Sequence, residues 1–237
     1  MDQSNTTGLR RVRIQDRGDM KLLPDHSALS ANRTIHTKMV RSVRPGEKPL
    51  KLGSSNSKIG GPRVKIGRWK GFRMLSCTNE ERATCPLTCQ HRADCYGNNM
   101  PFAIRYRIDR HWYDAVSAQL MYECGRGPVA LRLKVLGDFS GPEEMKFWYI
   151  QMCRNRNLYV WGFTAHRSGI MRAMLLGMEL EFPGRWVVRT SGAGDVPWAA
   201  NAEGGPGFVC PGISKGLTCV TCGLCWSTSK PVVFPDH

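Results

Sequence analysis

No apolar run in these 237 residues approaches the ~20 that a membrane-spanning helix needs, which sets aside a transmembrane protein. The first residues, Met1 to Arg13, turn from polar to basic with no apolar stretch behind them, so a secretory signal is not expected either. Acidic residues are few, 19 against 34 Lys and Arg, for a formal net charge of +15. The motifs GxxxxGK(S/T), HExxH and GxSxG are all missing, which removes the signatures of P-loop nucleotide hydrolysis, zinc metallopeptidases and the hydrolase nucleophile elbow. No internal repeat recurs at a fixed period. The expectation is a cytoplasmic protein of one ordinary-sized domain, or a domain with a long tail, with no membrane partner. An apolar fraction of 41% is enough for a sizeable core.

The positive charge is unevenly placed. Residues 1–70 hold 16 Lys and Arg against 5 Asp and Glu, a net of +11, which leaves 18 against 14, a net of +4, for residues 71–237. From Arg44 to Gly67 the chain is punctuated by Pro, Gly, Ser and Lys, and its apolar residues are isolated. Such composition buries too little surface to offset chain entropy. Residues 1–68 therefore read as a basic, largely disordered arm, and residues 69–237 as a Cys-rich α/β domain. The arm has two readings: a grip on nucleic-acid phosphates through counterion release, or a solvated tail that docks on its own domain.

Beyond residue 70 the pattern becomes periodic. Phe72 to Cys77 reads as a strand leading into a Cys-rich loop. Asp109 is placed as the N-cap of a helix running to about Glu123, with Trp112, Val116 and Leu120 four apart on one face. Val129 to Leu136 alternates as a strand, and Pro142 suits the first position of a helix with Glu143 and Glu144 in its first turn. Leu158 to Phe163 predicts a strand, Gly169 to Leu180 a helix, and Trp186 to Thr190 another strand. This order implies right-handed crossovers and a parallel sheet. The expected fold is α/β, a partial or irregular (β/α) barrel with parallel strands and Cys-rich loops, with an open doubly wound sheet as the second choice. In either, ligands meet the loops at the C-terminal ends of the strands.

Ten cysteines behind no signal peptide point to metal or redox chemistry, not to a disulfide framework. Cys85, Cys89 and Cys95 are spaced C-x3-C-x5-C; Cys210, Cys219, Cys222 and Cys225 are spaced C-x8-C-x2-C-x2-C. Short spacings let one loop wrap several thiolates around a single centre. The quartet can complete a four-thiolate site by itself, while the trio needs a fourth ligand from Cys77, His91 or Asp94. Zinc favours closed four-thiolate sites, and the overlapping C-x2-C-x2-C approaches the iron–sulfur run of bacterial ferredoxins. A three-thiolate cluster with an open iron would be a catalytic arrangement. Cys124 and Cys153 fall on helices and read as small buried apolar thiols.

Four runs, Glu81-Arg82-Ala83-Thr84-Cys85-Pro86, Cys95-Tyr96-Gly97-Asn98-Asn99-Met100, Leu136-Gly137-Asp138-Phe139 and Cys219 to Trp226, together resemble those of the phage gene-product-88-like proteins. That is a family of phage and prophage origin whose biochemical activity is unassigned. The resemblance covers about residues 68–226 and implies seven shared thiols: Cys85, Cys89, Cys95, Cys210, Cys219, Cys222 and Cys225. It leaves Cys77 outside that set. A looser resemblance is to radical S-adenosylmethionine enzymes, which place three cysteines after the first barrel strand with an aromatic beside the last. Tyr96 adjoins Cys95, and Gly137-Asp138 stands where those enzymes hold the amino group of the cofactor. Here the last gap is five residues instead of two, and the aromatic follows the cysteine instead of preceding it. The resemblance implies an iron–sulfur cluster and S-adenosylmethionine acting on an unidentified small molecule.

Asp138 is a candidate to orient a substrate amine or a metal-bound water, and equally to cap the helix that Ser140 and Pro142 begin. His166, beside Arg167 at the end of a strand, suits proton transfer or anion contact, or a plain surface pair. Arg189 and Ser191 stand where backbone N–H groups and a hydroxyl can cradle a phosphate. The candidate set is therefore Asp138 and His166 for catalysis, Tyr96, Gly137, Asp138 and Ser191 for a cofactor, and the seven thiols for metal. Most of the seven tryptophans lie in apolar periodic segments and read as core, with Trp226 shielding the quartet. Two functions compete: an iron–sulfur, radical-SAM-like protein, and a zinc-stapled module gripping nucleic acid through residues 1–68.

Overall fold

The computed structural model describes residues 20–191, 207–228 and 230–234. In chain order its elements are α1 (Ser27–Ser30), β1 (Val40–Arg41), β2 (Lys51–Leu52), β3 (Arg73–Ser76), β4 (Arg105–Tyr106), α2 (Arg110–Gly125), β5 (Val129–Arg132), α3 (Pro142–Arg154), β6 (Leu158–Thr164), α4 (Gly169–Glu181), β7 (Trp186–Thr190), β8 (Phe208–Val209), α5 (Pro211–Ser214), α6 (Cys219–Cys222), α7 (Leu224–Ser227) and β9 (Val232–Val233). The main sheet has the order β2-β3-β5-β6-β7; β2 is antiparallel to β3, and every other neighbouring pair is parallel. The fold is thus mixed α/β around a largely parallel sheet.

The elements follow from local chemistry. The Asp109 carboxylate accepts from the Trp112 N–H at 2.9 Å and caps α2, and Trp112, Val116 and Leu120 are all buried on its inner face. Pro142 opens α3, whose first turn carries Glu143 and Glu144 and whose last turn carries Arg154, the charge order a helix dipole favours. Along the strands, alternate residues divide between two cores. Leu75, Val129, Leu131, Leu158, Val160 and Trp186 pack with residues of α2, α3 and α4 in the larger one. Met74, Ala130, Tyr159, Trp161, Phe163 and Val187 pack in the other, against Ile59, Val64, Trp69, Val220 and Trp226. One face of the sheet is therefore covered by the helices, and the opposite face by segments drawn from both ends of the chain.

Two expectations change here. Alternation predicts a strand through Leu136, but β5 ends at Arg132. Lys134 adopts a positive φ of 54°, and its ammonium lies 2.6 Å from Glu144 with both side chains fully buried. It also donates to Asn79 Oδ1 at 2.9 Å, while Glu144 accepts from Trp148 Nε1 at 3.0 Å and from Ser140 N at 2.8 Å. An inward lysine needs these partners, and they lie off the strand direction, so the chain turns to reach them.

The second change concerns the arm. Residues 1–19 lie outside the described residues, but residues 20–68 are folded into the domain. Leu22, Val43, Leu50, Ile59 and Val64 are buried, β1 pairs with β4, and β2 extends the main sheet. Isolated apolar residues suffice because the sheet face and the Cys loop supply the other half of each contact. Residues 20–70 carry 12 Lys and Arg against 2 Asp and Glu, so +10 of the +11 belongs to folded chain. Several of these charges serve packing: Lys58 lies 4.2 Å from the centroid of the Tyr96 ring, and Arg63 donates to Gly71 O at 2.9 Å.

Glu47 shows what such a charge does in this segment. Its carboxylate accepts two bonds from Arg41, both at 2.6 Å, and one from the Tyr106 hydroxyl at 2.5 Å. The Arg41 bonds, with help from Tyr106, lower its pKa to about 2. A depressed carboxylate adds stability above its unfolded pKa, and that stability is lost as pH falls through the folded value. Allowing for solvent screening of a side chain 17% exposed, the contribution is roughly 2 kcal/mol. Denaturation followed from pH 5 down to pH 2 (a span set by the unfolded value near 4.5 and the folded value near 2) should show Glu47→Gln losing less stability with acid than the parent. Parallel acid profiles would show that Glu47 plays no such part.

Candidate thiolate centres

All ten cysteines are unbridged, so seven thiols are available at the positions the spacing singles out. The trio sits in the loop after β3, and that loop lies over the C-terminal ends of the parallel strands. Asn79 N donates to Leu136 O at 3.1 Å, Asp138 N donates to Thr84 Oγ1 at 2.9 Å, and Arg167 Nη2 donates to Gln90 Oε1 at 3.1 Å. Gly137 makes this approach possible: at φ +78°, a Cβ there would come within 2.6 Å of Thr84 Oγ1.

The loop has its own scaffold, which sequence reasoning missed. Glu81 and Arg105 form an ion pair at 2.7 Å with side chains 1% and 0% exposed. Glu81 also accepts from Thr34 Oγ1 at 2.5 Å, while Arg105 donates to the carbonyls of Gly97, Met100 and Ala103. Arg82, at a positive φ of 66°, donates to Arg92 O and to Asn98 Oδ1. Glu81, Arg82 and Asn98 stand inside the runs that carry the family resemblance, so part of the signal was present as polar residues beside the cysteines, whereas Arg105 and Thr34 lie outside them. Those charges have to be buried to hold a loop with so few apolar side chains.

The trio thiols share an electrostatic neighbourhood. Burial pushes Cys85 up, with Asp138, Cys89 and Cys95 adding to the shift. Cys89 is raised by burial and eased by the His91 backbone N–H and by Arg92 and Arg167. Cys95 is pushed up to about 11, chiefly by burial, while the Gly97 N–H pulls it down by donating to its sulfur at 3.4 Å. Backbone donors at sulfur are a feature of thiolate ligands, because they stabilise the anion. None of the three fourth-ligand candidates completes the trio. Cys77 is buried in the larger core with its Sγ 3.3 Å from Asn79 Oδ1, and His91 pairs with Asp94 on the exposed side at 3.4 Å.

Three of the quartet, Cys219, Cys222 and Cys225, lie on the short helices α6 and α7, on the sheet face opposite α2, α3 and α4. Residues 58–65 hold it like a neighbouring strand: Cys219 N donates to Lys58 O, Val220 N to Ile59 O, and Lys65 N to Val220 O. Arg68 donates to Trp226 O, and Arg189 donates to the carbonyls of Cys225, Thr228 and Lys230. Trp226 is 1% exposed; it stacks on Trp69 at 5.2 Å and tilts against Trp161 at 4.8 Å. Cys219 is pushed up to about 11 and Cys225 to about 12, both mainly by burial; Cys210 adds to each, Cys222 to Cys219, and Cys219 to Cys225. Tyr96 follows Cys95, and its ring lies 4.2 Å from the Lys58 ammonium, whose own carbonyl accepts from Cys219 N. Among the described residues, no three His, Cys, Asp or Glu side chains lie close enough together to hold a metal ion. The donor chemistry suits a thiolate metal site, but the thiols share a neighbourhood without closing a coordination sphere.

The other candidates are engaged with the protein itself. Asp138, 4% exposed, accepts from Phe139 N at 2.7 Å, Thr164 Oγ1 at 2.8 Å and Ala165 N at 2.7 Å. It clamps the loops after β5 and β6 together and does not cap α3. His166 Nε2 meets Phe139 O at 2.8 Å. Both donors of Ser191, its N–H and its hydroxyl, point at Thr164 O, so neither faces a phosphate, and Arg189 is likewise taken by carbonyls. Gly137, Asp138 and Ser191 thus do not fit S-adenosylmethionine as placed, because the acceptors and donors expected to receive it are already paired. Cys124 is buried as expected, whereas Cys153 is exposed on the outer side of α3. Six of the tryptophans are buried, and Trp198 lies outside the described residues. No helix among the described residues is long and apolar enough to cross a membrane. Set against family models, curated proteins and solved structures, the chain finds no match in any of the three.

Proposed function

We propose that this protein binds metal through two groups of cysteine thiolates, with an iron–sulfur centre as the leading chemistry and the phage gene-product-88-like proteins as the family it resembles. The observation that carries the reading is that all seven expected thiols are unbridged, with Cys85, Cys89 and Cys95 influencing one another's ionisation and Cys219 responding likewise to Cys210 and Cys222. Strands in chain order with three helices on one face support a partial (β/α) barrel, the scaffold shared with radical-SAM-like proteins. The trio then occupies the loop after the first parallel strand, and Asp138 with His166 serves to hold that loop in position. When bound, an iron–sulfur cluster supplies one-electron chemistry. Loading it requires the thiols to release their protons to solvent. The substrate class is an unidentified small molecule reached from the C-terminal ends of the strands.

A zinc staple is the second reading for the quartet, favoured by the way Arg68 and Arg189 already tie that segment to the sheet. The nucleic-acid part of that reading loses ground, because most of the basic charge sits in folded chain. Anaerobic purification followed by iron, sulfide and zinc analysis and a visible spectrum decides between them. Acid-labile sulfide with visible absorption is the expected result; zinc alone overturns the iron–sulfur reading, and no metal at all overturns both.

A further inference from the structure

Arg132 is the last residue of β5, and its position has no role in the account so far. Its guanidinium lies 4.6 Å from the centroid of the Trp161 ring and 4.8 Å from that of Phe163. Its Nη1 is shut off from solvent and has no hydrogen-bond partner. No carboxylate pairs with it among the described residues. Gly162 keeps the space open: a Cβ there would approach Arg132 Nη1 to 3.3 Å and Leu133 O to 3.1 Å. A desolvated cation without a counter-ion is costly, and a structure retains it where negative charge arrives. Trp161, under the Arg132 guanidinium, packs against Trp226, the residue after Cys225, at 4.8 Å. The pKa of Arg132 itself is lowered by burial and raised by Cys219, Cys225 and Cys77, and reciprocally it eases Cys219 and Cys225.

We propose that Arg132 is the counter-charge of the Cys210, Cys219, Cys222 and Cys225 site, its guanidinium offsetting the negative charge that four thiolates bring when they take up a metal centre. The inference rests on the metal-binding reading above and deepens it. Four thiols that bind one divalent zinc release four protons and leave a complex of charge −2 on a face packed with tryptophan. Arg132 halves that net charge. Trp161 and Phe163 hold the guanidinium by their ring faces and make no hydrogen bond to it, which leaves Nη1 unpartnered. Cys77, which also faces Arg132, is buried in the larger core and stays a neutral thiol, its pKa raised by burial.

The test is zinc competition against a chelator, with reduced full-length protein as the parent, Arg132→Gln and Arg132→Lys. The parent should hold zinc tightly, Arg132→Gln should hold it about 10- to 100-fold more weakly, and Arg132→Lys should stay near the parent because it keeps the charge. Far-UV circular dichroism of the metal-free proteins separates this effect from unfolding. A Gln variant with unchanged affinity overturns the proposal. So does a Lys variant that loses as much as Gln, a comparison that stands against the parent even if the Gln protein cannot be purified. A parent that takes up no zinc sinks the metal-binding reading and this inference together, whereas a zinc-binding parent with an indifferent Gln variant sinks Arg132 alone.

Discussion

Glu81→Gln should lower stability by about 3–5 kcal/mol, for a Tm drop on the order of 10 °C in a domain of this size. The substitution keeps the shape and removes the charge. Arg105, with no exposed side-chain surface, would be left as a buried cation supported only by carbonyl oxygens. The Glu81 contact with Thr34 weakens in the same step, so the chain before β1 loosens along with the Cys loop. Alkylation of Cys85, Cys89 and Cys95 in the folded protein should therefore speed up well before global unfolding. A Tm within 2 °C of the parent (about half a kcal/mol or so at this size), with unchanged thiol reactivity, would show that the loop is held by something else.

Replacing one sulfur in each group should give opposite outcomes. On the metal-binding reading, Cys222→Ser is expected to yield insoluble or metal-poor protein, because the quartet would tie residues 210–226 onto the sheet and its metal-binding energy, on the order of 10 kcal/mol for a structural zinc site, would become folding energy. Cys89→Ser should fold with a Tm near the parent. The trio loop is fixed without its thiols by the Glu81–Arg105 pair, by Arg82 and by the Asp138 contacts; what the variant should lose is cluster content. Solubility, Tm and metal per chain, measured side by side, test the pair. A well-folded Cys222→Ser protein with full metal, or a collapsed Cys89→Ser protein, would reverse the assignment of structural and functional groups.

The parallel sheet was readable because its strands and helices are periodic and well capped. The expected bounds of β7 match the structure, and Asp109 caps α2 as its position suggested. The cysteine spacing marked two sets of thiols, and the structure leaves all seven unbridged without closing either set around a metal position. What sequence reasoning missed was long-range. Residues 20–68 look too polar to fold because their apolar side chains, such as Leu50 and Val64, find their partners far along the chain. Lys134 broke the β5 pattern since alternation does not reveal that Glu144 waits for it. Asp138 and Ser191 drew attention as unpaired polar groups at strand ends, and only the three-dimensional arrangement shows which neighbours they pair with. Arg132 escaped notice for a related reason, as one basic residue in an apparently regular strand.

The grip of residues 58–65 on Cys219 and Val220 also dictates an order of assembly. Arg68 and Trp226 meet across 158 positions of sequence, so this contact forms late for a reason of chain connectivity. During synthesis β3, β5, β6 and β7 emerge in the order in which they pair, with each helix close behind its strand. The helix-covered side of the sheet can settle while the ribosome is still at work. Its other side, with Trp69, Tyr159 and Trp161 in a row, must wait for residues 219–226 to emerge. Until then the nascent protein presents a bare aromatic wall and the three reduced thiols of Cys85, Cys89 and Cys95 to the cell. Arrival of residues 219–226 covers the wall and, on the reading above, admits the metal in the same event.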